Sequence, residues 1–127
     1  MKTLGLRHLA LNVRNAQASK KFYEQVFGMH VEWEPDAKSV YMTSGQDNLA
    51  LHEIADFSLQ GRQGLSHFGF IMPSPATVDE AYQAMLDCQV EIAKTPKQHR
   101  DGAYSFYCKD PDGYIIQVLY HPPISRS

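Results

Sequence analysis

His8 and His67 stand 59 residues apart, each opening the same short phrase, His-Leu-Ala-Leu at 8–11 and His-Phe-Gly-Phe at 67–70. One histidine in a strand is most simply a side chain hydrogen-bonded within its sheet. Two at equivalent points of a repeat are a candidate metal pair, because neutral imidazole nitrogen suits zinc, iron, nickel and manganese. A catalytic centre of that kind adds an oxygen ligand, normally anionic, and keeps positions open for substrate. The last apolar stretch, Gly113 to Tyr120, holds one polar side chain, Gln117, among Ile115, Ile116, Val118 and Leu119. An amide isolated in a strand covered on both faces lines a cavity or meets another polar group.

A second cluster lies just upstream. Lys94-Thr95-Pro96-Lys97-Gln98-His99-Arg100 gathers three cations and a histidine in a chain whose formal charge is -2. Such a run is ordinarily solvated surface, but at a cleft mouth it steers anionic ligands. Trp33, Tyr41, Phe68, Phe70, Tyr104 and Tyr107 are candidates for the walls of a cleft that holds a flat organic molecule.

The elements that must position these residues follow from periodicity. Leu9, Leu11 and Val13 alternate with Ala10 and Asn12, a strand packed on one face. Asn15 is an N-cap candidate, Ala18, Phe22 and Val26 recur every four residues, and Gly28 suits a left-handed C-cap, so a helix is expected over about 16–27. Ser74-Pro75, the Thr77 and Glu80 capping-box spacing, and the apolar Val78, Ala81, Tyr82, Met85 and Leu86 predict a second helix over about 76–87. Each helix is followed by a strand and a hairpin: 40–42 to 49–51 across Ser44–Asn48, and 106–108 to 115–119 across Asp110-Pro111-Asp112-Gly113. The segments 55–66 and 94–104 carry glycines and no clear period, and read as loops. The 59-residue shift also puts Tyr23 on Tyr82 and Val31 on Val90. The expected architecture is α+β: two βαβββ modules, about 4–56 and 64–121, in a single domain over 1–127, forming a curved eight-stranded mixed sheet around a cleft.

Composition narrows the partners. At 127 residues and 14.4 kDa, with 43% hydrophobic and 20% charged residues, the chain has the profile of one globular domain. Twelve basic residues against fourteen acidic ones leave no broad positive field for nucleic acid or an anionic membrane. No apolar run approaches the ~20 residues of a membrane span. The start MKTLGLRHLALNV lacks a signal peptide's continuous apolar region, so a cytoplasmic protein with Cys88 and Cys108 reduced is expected.

Taken together, HLALNV at 8–13, FYEQVFGM at 22–29, SHFGFIM at 66–72 and SFYCKDPDGYIIQV at 105–118 resemble the vicinal oxygen chelate superfamily: glyoxalase I, extradiol dioxygenases, fosfomycin-resistance enzymes and bleomycin-binding proteins. The resemblance covers nearly the whole chain and is specific for a fold, not for a reaction. It implies metal ligands at His8, at His67 and on the last strand, where the family's glutamate corresponds to Gln117. The neutral amide removes the one charge of that triad and weakens divalent binding. Glyoxalases carry a further glutamate on the last strand of the first module; here Ala50, or Leu51 in a shifted hairpin, takes that place. His52, two residues beyond Ala50, is a substitute ligand or proton carrier, while Glu53 points the other way. Lys97, Ser105 and Tyr107 match the anion-binding loop of the fosfomycin-resistance transferases, whereas Asp101 stands where that loop offers a hydroxyl.

Together with the resemblance, these residues imply two functions. The first is a metalloenzyme of the glyoxalase or dioxygenase type, a lyase, transferase or dioxygenase in which His8, His67 and Gln117 hold a divalent Zn, Ni, Mn or Fe ion that chelates vicinal oxygens of a small organic substrate, with His52 catalytic and Lys97, Arg100, Ser105 and Tyr107 binding substrate. The second is a metal-free binding protein of the drug-resistance type. Either is expected as a homodimer, since pairing covers open sheet edges.

Overall fold

The computed structural model describes residues 1–58 and 65–125. Ten elements follow in the order β1 (His8–Val13), α1 (Ala16–Phe27), β2 (His30–Asp36), β3 (Ser39–Thr43), β4 (Asn48–Glu53), β5 (Phe68–Ile71), α2 (Pro75–Asp87), β6 (Ile92–Gln98), β7 (Tyr104–Lys109) and β8 (Ile115–Tyr120). They form two βαβββ units, Met1–Ser58 and Leu59–Ser127, each built on a four-stranded mixed sheet. The strand orders, β1-β4-β3-β2 and β5-β8-β7-β6, are the same topology used twice.

In the first unit β1 pairs parallel with β4 and β4 antiparallel with β3. Leu11, Val13, Val40, Met42, Leu49 and Leu51 alternate onto one face and are buried there with Tyr23 of α1. The helix begins where expected: the Asn15 side chain accepts the Ala18 N–H at 3.0 Å, and Gly28 closes it at φ 65°. Glu53, expected to be plain surface, accepts the Ala16 N–H at 2.9 Å and so places a carboxylate on the positive end of α1.

In the second unit Val78 and Met85 of α2 are buried with Phe106, Cys108, Ile116 and Val118 of the sheet, and the Tyr82 ring meets Phe106 edge-on. The cap of α2 is Ser74, which accepts the Thr77 N–H while Thr77 receives the Ser74 N–H, so the capping box closes one turn earlier than the Thr77 and Glu80 spacing indicates. The expected loop over 94–104 is also corrected. Residues 92–98 are β6, whose register on β7 shifts between Ile92 and Lys94 and again between Lys94 and Lys97, and these irregularities break the alternation that marks a strand. Of the expected 55–66 linker, residues 59–64 lie outside the described part. In the turn before β8, Asp110 accepts the N–H groups of Asp112 and Tyr114 through its side chain, each at 2.9 Å.

Candidate functional site

Each sheet has one face against its helix and one turned away from it, and strand alternation sends the polar candidates to the second face. In the first unit that face carries His8, Ala10, Asn48, Ala50, His52 and Tyr41, given the pairings His8 to Asn48, Ala10 to Ala50 and Tyr41 to Ala50. His8 Nδ1 lies 2.8 Å from Asn48 Oδ1, and Asn48 Nδ2 donates to Glu32 Oε1 at 3.1 Å. Because the amide gives a hydrogen to Glu32, its oxygen faces the ring, so Nδ1 is the donor in this pair and Nε2 lies outside it. Nothing in the sequence marks Asn48 as this partner, since a parallel pairing across forty residues brings it there.

His52 does not join His8. It pairs with Asn12, four residues along the strand from the His8 to Asn48 pair, a separation of about 13 Å at ordinary strand rise. It is half-buried and packs edge-on to Tyr41, which stacks on the exposed Trp33. Ala50 occupies the position equivalent to Gln117, one strand in from Ala10 as Gln117 is from Gly69.

The second unit gathers more of the predicted residues. Gln117 pairs with Gly69 of β5 and Tyr107 of β7, and Ser105 pairs with Lys97 of β6. The His67 ring, just before β5, meets Tyr107 edge-on at 5.4 Å, and Lys94 Nζ lies 5.4 Å above the Tyr107 ring. Gln117 approaches β5 closely because residue 69 lacks a side chain: a Cβ there would lie 2.8 Å from the Gln117 carbonyl oxygen. On this face opens a surface cavity of about 780 Å³, lined among others by Lys97, His99, Arg100, Tyr107, Gln117 and Leu119. Ser105 lies beneath it, buried, with its hydroxyl 3.0 Å from Gln117 Nε2 and 3.0 Å from His99 Nε2. Asp101 also lines the cavity, and its carboxylate accepts the Ala103 N–H at 3.0 Å within its own turn. His121, another lining residue, carries no signal in the sequence reading; it sits just beyond β8.

The family model of the Glyoxalase/Bleomycin resistance protein/Dioxygenase superfamily matches residues 5–118. The chain belongs to this superfamily. Among curated relatives, biphenyl-2,3-diol 1,2-dioxygenase 3 of Rhodococcus globerulus is 27% identical over 122 residues, which are 89% of this chain and 61% of the dioxygenase, so the chain spans less than two thirds of that relative. Virulence protein STM3117 of Salmonella typhimurium is 27% identical over 118 residues, 87% of this chain and 80% of the relative. The crystal structure of lactoylglutathione lyase from Agrobacterium tumefaciens superposes with a TM-score of 0.79 at 24% identity, covering 94% of this chain and 96% of that one. That likeness concerns the fold.

Superfamily members are often metal-dependent, and the donor chemistry of this chain tests that expectation. Among the described residues no three His, Cys, Asp or Glu side chains group as a metal site. The second unit offers one imidazole, His67, and one neutral amide, Gln117; the first offers the His8 imidazole. This neutral set does not match the two-histidine, one-carboxylate face that divalent iron and related metals favour.

Proposed function

We propose that this superfamily member binds a small organic anion in the cavity of its second unit, without requiring a metal. The observation that carries the reading is the meeting of Lys97 and Arg100 with Tyr107 and Gln117 around one cavity of about 780 Å³, a size ordinary for small-molecule sites. The two cations supply attraction, the Tyr107 ring an apolar wall, and Gln117 a polar group for orientation. Replacing both Lys97 and Arg100 by Gln tests it with benzoate and methylphosphonate as probes: binding weakens and its salt dependence flattens. Equal affinity at every salt concentration in parent and variant overturns it.

A second reading is a metal-dependent enzyme, in keeping with the curated relative named as a dioxygenase. It assigns His8, His67 and Gln117 as ligands. The observation that favours it is the His8, Asn48 and Glu32 chain, which makes Nδ1 the donor and leaves Nε2 outside the pair, as outer partners of metal-bound histidines do. A bound ion would supply Lewis acidity toward a substrate oxygen. The proposal also keeps the chain cytoplasmic and paired as a homodimer; no described helix is long and apolar enough to cross a membrane.

A further inference from the structure

In the second unit one buried hydroxyl is shared by two side chains that line the cavity. Ser105 is 1% exposed, and its Oγ lies 3.0 Å from both Gln117 Nε2 and His99 Nε2. A hydroxyl has one hydrogen to give and two lone pairs to receive with; an amide nitrogen only gives; an imidazole nitrogen does either, according to its tautomer. These three groups are satisfied together in two ways. In one, Gln117 Nε2 donates to Ser105 and Ser105 donates to His99 Nε2, whose ring carries its hydrogen on Nδ1. In the other every bond is reversed: His99 Nε2–H donates to Ser105, Ser105 donates to Gln117 Oε1, and the amide is turned over. An arrangement in which both neighbours donate to Oγ leaves the serine hydrogen without a receiver at a buried position, which folded proteins avoid.

The structure has the first sense, with the amide nitrogen on Ser105, so that Oε1 is the end of Gln117 left for the cavity. The His99 ring is held at the start of the β6–β7 turn, where the His99 N–H donates to the Ala103 carbonyl at 2.7 Å and the His99 carbonyl accepts from Gly102 at 3.0 Å. We propose that His99, acting through Ser105, is the positioning residue that fixes Gln117 Oε1 toward the cavity, so that the site selects an organic acid bearing a hydroxyl or N–H group. The acidic group meets Lys97 and Arg100, and the donor meets Gln117. A ligand without the donor leaves Oε1 desolvated and unpaired, the arrangement by which polar sites reject analogues lacking a hydroxyl. This inference rests on the cavity being the ligand site, and its test separates the two.

The test uses the full chain, labelled with nitrogen-15 and free of ligand. The Gln117 side-chain amide signals, identified by their loss in Gln117→Glu, shift in Ser105→Ala, which removes one oxygen, and in His99→Phe, which removes the acceptor. They keep their parent positions in His99→Gln, whose carbonyl accepts from Ser105 as the imidazole does. In parallel, 3-hydroxybenzoate binds the parent about tenfold more tightly than 3-methoxybenzoate, and the preference disappears in Ser105→Ala and His99→Phe but survives in His99→Gln. Amide signals unmoved by both Ser105→Ala and His99→Phe overturn the positioning role, whatever the acids do. Amide signals that move as expected while neither acid binds overturn the ligand class and the cavity reading together, and leave the hydrogen-bond chain standing.

Discussion

Cys88 and Cys108 carry the same thiol in opposite surroundings: Cys88 is exposed, while Cys108 is buried in the core on β7, paired with Ile116 of β8. Burial, with Asp110 adding to it, pushes the Cys108 thiol from its ordinary 9.0 up to about 12. A group whose native pKa is raised stabilises the fold below its unfolded pKa and loses that contribution as pH climbs. The unfolded thiol ionises near 9 and the native one near 12, so this contribution fades between those values. Stability measured by urea unfolding at pH 8 and pH 10.5 is expected to fall more steeply in the parent than in Cys108→Ala, by up to about 1.4 kcal/mol per pH unit. Equal slopes would show that Cys108 ionises freely in the native state. Gln117 poses the other residue-scale question. Gln117→Glu adds one negative charge at nearly constant volume to a neutral donor set, and at an effective dielectric near ~20 a charge beside a dication is worth several kcal/mol before desolvation. Calorimetric titration with zinc, nickel and manganese is expected to show affinity raised about tenfold or more over the parent. Indistinguishable isotherms would remove Gln117 from the metal-dependent reading.

At the scale of elements, the pairing of β5 with β8 depends on residue 69 having no side chain. A Cβ there meets the Gln117 carbonyl oxygen at 2.8 Å and the Leu119 side chain at 3.1 Å. The backbone oxygen cannot swing aside, so Gly69→Ala is expected to cost about 1–3 kcal/mol and to disturb Gln117 first; chemical denaturation and the Gln117 amide signals check it. The equivalent position in the first unit is Ala10, opposite Ala50, two small residues that carry a Cβ each. Much of this scale was legible in the sequence. Both helices, the left-handed Gly28 and the Asp110 turn follow from local spacing, and the repeat of 59 residues predicted two copies of one topology. What escaped was set by pairing between distant segments or by irregularity: Asn48 against His8 across a parallel ladder, Glu53 on the N-terminus of α1, and β6, whose two register shifts hide its strand pattern. Of the candidate site, Lys97 and Arg100 were read from a local cluster of cations, Gln117 from its isolation in an apolar stretch and from the resemblance, and Tyr107 from the aromatic set and the resemblance; all four line one cavity. Ser105 was expected to touch ligand, but it lies buried beneath Gln117, and His52 lies well along the strand from His8.

For the molecule as a whole, the exposed apolar edge of the first unit's sheet argues for assembly. Each four-stranded sheet ends in two edge strands, β1 and β2 in one unit and β5 and β6 in the other. An edge presents unpaired N–H and C=O groups that invite pairing with another chain unless they are covered. On β2 the exposure extends to large apolar side chains, Trp33 at 57% and Val31 at 37%, which a stable monomer seldom displays together. The register shifts of β2, between Val31 and Trp33 and again between Trp33 and Asp36, discourage open-ended strand addition and favour one defined partner. Twice the 14.4 kDa chain mass is therefore the expected particle, because a closed twofold pair covers the same surface on both copies and leaves nothing to propagate. Light scattering at micromolar concentration is expected to give about twice the chain mass, with Trp33→Lys shifting the population toward single chains by placing a charge where an apolar ring is buried on pairing. A parent that scatters as a 14.4 kDa particle overturns the dimer, and Trp33→Lys leaving a dimeric particle unchanged moves the interface off β2.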